Sequence, residues 1–286
     1  MTNLLEVPFV RENFRRFDFG LFESDDEFDQ AKDVLEVLGI LGLVKYLKQK
    51  RFNQGDYPIR YESPKLREPL EVSSALCDIL NLKEIIIDGA YSLHPELEAK
   101  VQGLPIIDIG AFVGISTTYF ASLFPDSRVI AVEPQTRNYQ KLIRNTFPYR
   151  DQIFTIKAAL QSNFGRSDIL ESRNRHPYMP LFVAKNSSDL VSQEVVTNVT
   201  PDTLLNSGLI DGSDIGILKI DIEGAERDIF TSGAINHLLY RSNILMVETH
   251  DQFVPGCSEA VNQVAMACDL ELIGQNPHSI SVYSRI

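Results

Sequence analysis

The ten residues Pro105 to Gly114, PIIDIGAFVG, constrain the fold more than any other stretch of the chain. Ile106 to Ile109 read as a buried strand that runs into a tight turn and then into a helix beginning near Ile115 or Ser116. Gly110 lets the chain leave the strand at backbone angles a side chain would resist, and Gly114 lets backbone come close to a ligand. Asp108 stands at the strand end, where an open α/β sheet places its ligand crevice. The turn leaves room for a flat, polar cofactor. Its spacing is D-x-G-x-x-x-G, because Phe112 occupies the position where the dinucleotide pattern G-x-G-x-x-G needs glycine.

From Leu104 onward, strand and helix signals alternate, the mark of a parallel α/β sheet. Expected strands are Ile106 to Ile109, Arg128 to Val132, Ile153 to Ala158, Ile215 to Ile220 and Ile244 to Glu248. Leu270 to Ile273 and Ile280 to Tyr283 form a terminal hairpin. Together they make a seven-stranded sheet. Helices are expected over Ser116 to Phe124, Arg137 to Asn145, Gly224 to Leu239 and Ser258 to Cys268. Short apolar runs between Ile169 and Val199 indicate an antiparallel insertion, followed by a helix capped by Thr200 with Pro201 at its first position.

Residues 1–100 have a different texture and read as a helical N-terminal region before a second domain, residues 101–286. Ser24 and Glu27 are spaced as a capping box, and apolar residues from Phe28 to Leu41 recur at helical spacing toward the basic end Lys48 to Arg51. Gln54 to Pro69 reads as a loop, Ser73 to Asn81 as a helix and Glu84 to Ile87 as a strand. The region would serve as a lid, a substrate wall or a dimerisation surface.

Charge narrows the partners. The 286 residues carry 27 basic and 39 acidic side chains, a formal charge of −12, which repels nucleic acid and anionic membrane surfaces. No apolar run approaches the roughly 20 residues of a membrane span, and charge interrupts the N-terminus before signal-peptide length. Cys77, Cys257 and Cys268 lack metal-ligand spacing and disulfide density, so a reducing, cytoplasmic setting is expected.

Glu133 ends the second strand 25 residues after Asp108, close to the spacing at which a carboxylate meets the ribose of an adenosine cofactor; a solvated strand-end charge is the alternative. LKIDIEGAE, Leu218 to Glu226, puts Lys219 and Asp221 on one strand face and Glu223 at the start of the next helix. Glu223 and Glu226 also suit a helix N-terminus, whereas Lys219 interrupts an apolar strand and must reach a partner or solvent. Glu248, His250 and Asp251 arrive at the same edge from the fifth strand, and His250 is a candidate general base. Asp221, Glu248, His250 and Asp251 are also hard ligands, but no spacing singles out a metal and none is expected. Glu171 to Pro180 could cover a substrate or be a surface excursion.

DIGAFVG, the AVEP end of the second strand, KIDIEGAE and MVETHD, in that order, resemble the FkbM-type family of S-adenosylmethionine-dependent methyltransferases. The resemblance covers Leu104 to about Asp251. It implies a class I methyltransferase fold with strand order 3-2-1-4-5-7-6, S-adenosyl-L-methionine as cofactor, and methyl transfer to a hydroxyl of a sugar, polyketide or similar small molecule. It implies further that Asp108, Gly110, Ala111 and Gly114 surround the methionine part, that Glu133 meets the ribose, and that Ala159, in the loop Ala158 to Gly165, meets the adenine. Asp221 or His250 would act as base, with Lys219 and Glu223 orienting the acceptor or one another. The family usually has asparagine where this chain has Phe112, which bears on the turn's geometry. The competing expectations are a nicotinamide-dependent oxidoreductase and a catalytically inactive binding domain of the same fold.

Overall fold

The computed structural model describes residues 25–52, 58–73, 76–172, 190–210, 212, 214–252 and 254–286. The first element, α1 (Asp25–Phe52), is kinked at Gly39, whose φ of 66° and ψ of −171° leave the helical region. Ser24, the expected cap, lies outside the described residues. Strands β1 (Pro58–Tyr61) and β2 (Leu70–Ser73) pair antiparallel; β1 falls within the expected loop Gln54 to Pro69, whose residues 62–69 do form the connection between the two strands. Helix α2 (Leu76–Leu82) runs directly into a π-helical turn, Lys83–Ile87. That turn corrects the strand expected at Glu84 to Ile87. Its neighbours Ile85 and Ile86 are both buried, which a strand with alternating faces does not favour. A short helix, α3 (Pro95–Glu98), precedes the sheet.

The remaining elements are β3 (Ile106–Ile109), α4 (Ile115–Leu123), β4 (Val129–Val132), α5 (Thr136–Thr146), β5 (Ile153–Ile156), β6 (Ala159–Leu160), β7 (Arg166–Ser172), β8 (Leu190–Val199), α6 (Pro201–Leu205), β9 (Ile215–Ile220), α7 (Glu226–Thr231), α8 (Asn236–Arg241), β10 (Ser242–Glu248), α9 (Cys257–Ala267), β11 (Leu270–Gln275) and β12 (Ile280–Arg285). Seven strands form the main sheet in the order β11-β12-β10-β9-β3-β4-β5. Numbered by appearance within that sheet and read from the opposite edge, this is 3-2-1-4-5-7-6. β3, β4, β5, β9 and β10 are parallel, and β12 runs antiparallel between β10 and β11. The insertion is a separate sheet, β6-β8-β7.

β3, β4 and β9 are buried at every position. Apart from Asp108 and Lys219 they read as apolar runs because helices cover both faces, and each fully buried isoleucine contributes about 1.5–3 kcal/mol. One face packs Ile106, Val129, Ile217 and Met246 against Val34, Ile79, Ile85 and Tyr91, so the N-terminal elements and the sheet share a core. The other packs Ile107, Ile130, Leu218 and Leu245 against α7, α8 and α9. The single helix expected over Gly224 to Leu239 is two, α7 and α8, with Gly233 in the left-handed region between them. Thr200 caps α6 as expected, its hydroxyl accepting from the Thr203 N–H at 3.2 Å. Glu171 to Pro180, read as a surface excursion or a substrate cover, lies mostly outside the described residues.

Candidate active site

A cavity of about 390 Å³ opens at the carboxyl ends of β3, β4, β9 and β10, within the size range of small-molecule sites. The strand order reverses between β3 and β9, the switch point at which such sheets bind ligands. Ile109, Gly110, Val132, Glu133, Pro134, Asp221, Glu223, Glu248 and His250 reach the cavity from these strand ends. Cys77, Leu80, Asn81 and Glu84 form the facing wall, so the N-terminal region contributes to the site.

The glycine turn is held from behind. Gly110 has a φ of 78°, and a Cβ there would lie 1.7 Å from the Asp221 carbonyl oxygen. No side chain fits. Asp108 pairs with Lys219 across β3 and β9. Asp108 Oδ2 accepts from Ser116 Oγ at 2.8 Å and Thr117 Oγ1 at 2.6 Å, and Oδ1 lies 3.2 Å from Lys219 Nζ. Lys219 Nζ donates to the Gly110 carbonyl at 2.8 Å and lies 3.5 Å from Asp221 Oδ2. Burial works against its charge, but Asp108 and Asp221 outweigh this and keep the ammonium above its ordinary range.

The expected cofactor residues therefore divide. Gly110, Glu133 and Ala159 line the cavity, whereas Asp108, Ala111 and Gly114 lie behind it. Gly114 serves packing: a Cβ there would come within 2.9 Å of Leu142, which α5 presses against this turn. Among the expected catalytic residues, Asp221, Glu223 and His250 line the cavity. Lys219 is not among the lining residues; its ammonium is turned toward Gly110 and Asp108 and clamps the turn.

Glu133 is buried at the end of β4. Its Oε2 accepts from the Phe112 N–H at 3.0 Å and its Oε1 from the Gln135 N–H at 2.9 Å. Burial pushes its carboxyl up to about 8 despite these bonds. Phe112 has a φ of 50°, a left-handed conformation that asparagine tolerates better than phenylalanine. This gives the family's asparagine a backbone reason. Glu223 has a φ of 53° and lines the same cavity. Such strain persists where surrounding structure enforces it and is concentrated at functional sites.

At the opposite end, His250 is the centre of an acidic group. Nδ1 lies 3.0 Å from Glu226 Oε1. Nε2 lies 3.5 Å from Glu223 Oε2, 3.7 Å from Glu248 Oε1 and 4.0 Å from Asp221 Oδ1. Burial opposes charge on the ring, but the Glu226 bond and the charges of Glu226, Glu223 and Asp221 raise it to about 9. Burial and then Asp221 push Glu223 up to about 7; burial, Asp221 and Glu84 push Glu248 up to about 9. Asp221, Glu223 and His250 bring ligand-type atoms within 4.8 Å of one another and could hold a cation. Asp251 instead caps α9, accepting from the Gly256 and Ser258 N–H groups.

Sequence reasoning missed Glu226 as a partner of His250 and Glu84 as a lining residue. Glu226 carried the signal of a carboxylate at a helix start, which the dipole already explains. Nothing local links it to a histidine 24 residues away.

Methyltransferase 1 of Beauveria bassiana (strain ARSEF 2860) is 25% identical over 167 residues, 51% of this chain and 64% of its own length. The crystal structure of methyltransferase FkbM from Methylobacillus flagellatus KT aligns over 91% of this chain and 59% of that one, at 13% identity and a TM-score of 0.46. Fibrillarin from Aeropyrum pernix, crystallised with natively bound S-adenosyl-L-methionine, aligns over 72% of this chain and 74% of its own, at 12% identity and a TM-score of 0.41. The chain thus spans less than two thirds of the length of the first two relatives. Its fold is that of the class I methyltransferases. Residues 108–266, more than half of the chain, match the profile of the methyltransferase FkbM domain, and the chain belongs to that family.

Proposed function

We propose that this chain is an S-adenosyl-L-methionine-dependent O-methyltransferase acting on a hydroxyl of a small molecule such as a sugar or polyketide. The observation that carries the reading is one cavity bounded by the buried carboxylate of Glu133 and by the acid-surrounded His250. The donor set fits the cofactor. Glu133 offers acceptor oxygens to a ribose diol, Phe112, Val132, Ala158 and Leu160 offer apolar walls to a purine, and Asp221 and Glu223 offer negative charge to a cationic centre. When bound, S-adenosyl-L-methionine supplies an electrophilic methyl carbon whose S–C bond breaks as the acceptor's O–C bond forms, leaving a neutral thioether.

The chain's own task is to hold the acceptor and take its proton. Holding contributes on the order of 7–11 kcal/mol to such a reaction, and a general base about 10²- to 10⁴-fold. His250 Nε2 faces the cavity; its acidic neighbours keep the ring charged in the ligand-free protein, and once a positive charge in the cavity offsets them the neutral ring receives the hydroxyl proton. Asp221 and Glu223 orient the hydroxyl and offset the charge that forms on the ring. The net charge of −12 supports a small acceptor over nucleic acid or a membrane surface. Among the described residues no helix is long and apolar enough to cross a membrane.

The test has two stages. S-adenosyl-L-methionine and its demethylated product should raise the melting temperature, and NAD should not. Labelled methyl should then pass from the cofactor to members of a panel of hydroxylated glycosides and polyketides. A shift with NAD alone, or transfer only to nitrogen or carbon acceptors, overturns the reading.

A further inference from the structure

We infer that Glu226 is a positioning residue that fixes the histidine's tautomer: it holds the hydrogen on His250 Nδ1 and leaves Nε2 as the ring's only site of proton exchange with the cavity. The inference rests on the reading of His250 as the base.

Glu226 opens α7 and is fully buried. Its Oε1 accepts from the Ile222 N–H at 3.1 Å, which anchors the carboxylate to the KIDIEGAE turn, and it meets His250 Nδ1 at 3.0 Å. Its Oε2 has no hydrogen-bond partner among the described residues. Local stability does not call for this arrangement. Capping the Ile222 N–H needs one neutral acceptor, whereas a buried carboxylate with a bare oxygen is costly. The charge is accounted for by the ring beside it.

An ionised carboxylate only accepts, so the ring nitrogen facing Glu226 must carry a hydrogen. In the neutral ring the lone pair is then on Nε2, the nitrogen that faces Glu223, Glu248 and Asp221. When the ring is charged, the Nδ1 hydrogen stays with Glu226 and the exchangeable proton is the one on Nε2. This is the carboxylate–imidazole logic of hydrolytic triads, on an unrelated scaffold. Among the described residues, Lys219, behind Asp221, and the thiol of Cys257 from α9, which burial pushes up, also stand near this group.

Nitrogen NMR of the ligand-free protein tests the assignment. His250 is identified among the five histidines by loss of its signals in His250→Gln. In the wild type its neutral form should be the Nδ1–H tautomer. In Glu226→Gln, with folding checked by melting temperature, the midpoint should fall by about one pH unit or more and the tautomers should mix. Glu226→Asp should restore part of both. Once an acceptor is known, Glu226→Gln should lower kcat about tenfold or more, leave KM for the cofactor unchanged, and move the pH profile with the NMR midpoint. An unchanged midpoint and tautomer in folded Glu226→Gln overturns the inference. Should that variant not fold, an Nε2–H tautomer in the wild type overturns it as well. A shifted titration in Glu226→Gln together with full activity in His250→Gln supports the pairing and overturns the base reading beneath it.

Discussion

Two groups of buried charge stand on either side of the glycine turn, and they differ in balance. Behind it, the Lys219 ammonium lies 3.2 Å from Asp108 and 3.5 Å from Asp221, and two hydroxyls and the Gly110 carbonyl add hydrogen bonds to the pair. In front of it, the one imidazole of His250 faces Asp221, Glu223, Glu226 and Glu248, and burial lifts Glu84 as well. The first group carries its own cation. The second holds protons above their ordinary range and is open to any positive charge that enters. Balance is what separates framework from reacting surface here, since both groups lie beside the same turn and none of their ion-paired side chains is more than about a third exposed.

This contrast predicts different kinds of damage. His250→Gln should cost chemistry, lowering kcat by about 10²- to 10⁴-fold in a folded protein. Lys219→Met should cost the fold: it leaves Asp108 buried and unpaired, and urea titration should register a loss of about 3–5 kcal/mol. A stable Lys219→Met or a fully active His250→Gln would erase the distinction. Glu133→Gln belongs between them. It keeps the shape but replaces an acceptor oxygen with an amide donor, so calorimetry above about pH 8, where the carboxyl is ionised, should show cofactor binding weakened by about 1.5–3 kcal/mol.

The smallest effect is the response to pH. Glu133, Glu223, Glu248 and His250 are all raised, to between about 7 and about 9. Groups raised on folding stabilise the native state below their unfolded values and lose that contribution as pH rises through the folded ones. The ligand-free protein should therefore melt at lower temperature as pH climbs from about 5 to about 9. Affinity for a cationic cofactor should rise over the upper part of that range, by at most about tenfold per pH unit for each proton released. A flat binding profile would mean that the acidic group does not meet the cofactor's charge.

Much of the frame was legible because the main-sheet strands are short apolar runs bounded by turn residues. Lys219 was legible as a residue that needs a partner, since an ammonium in an apolar strand has no other way to persist. Its partner was not, because the register that sets Asp108 beside it is a property of two strands far apart in sequence. The turn at Lys83–Ile87 misled for a simpler reason: consecutive isoleucines favour a strand locally, and packing against α4 and the N-terminal core overrides that preference. The site was legible as a set of strand ends. Which side chains turn inward and which turn back was decided by contacts made only after folding.

Helix α2 contributes Cys77, Leu80 and Asn81 to the cavity wall, and all three precede residues 108–266, the stretch the family profile recognises. The two sides of one cavity are thus encoded in separate parts of the gene product. Exchanging those three residues would re-tailor the opening while the buried Asp78, Ile79 and Leu82 keep the helix seated and the glycine turn and its lysine stay untouched. Novelty in what enters and constancy in what binds beside it can then be inherited independently, as modules on a shared frame.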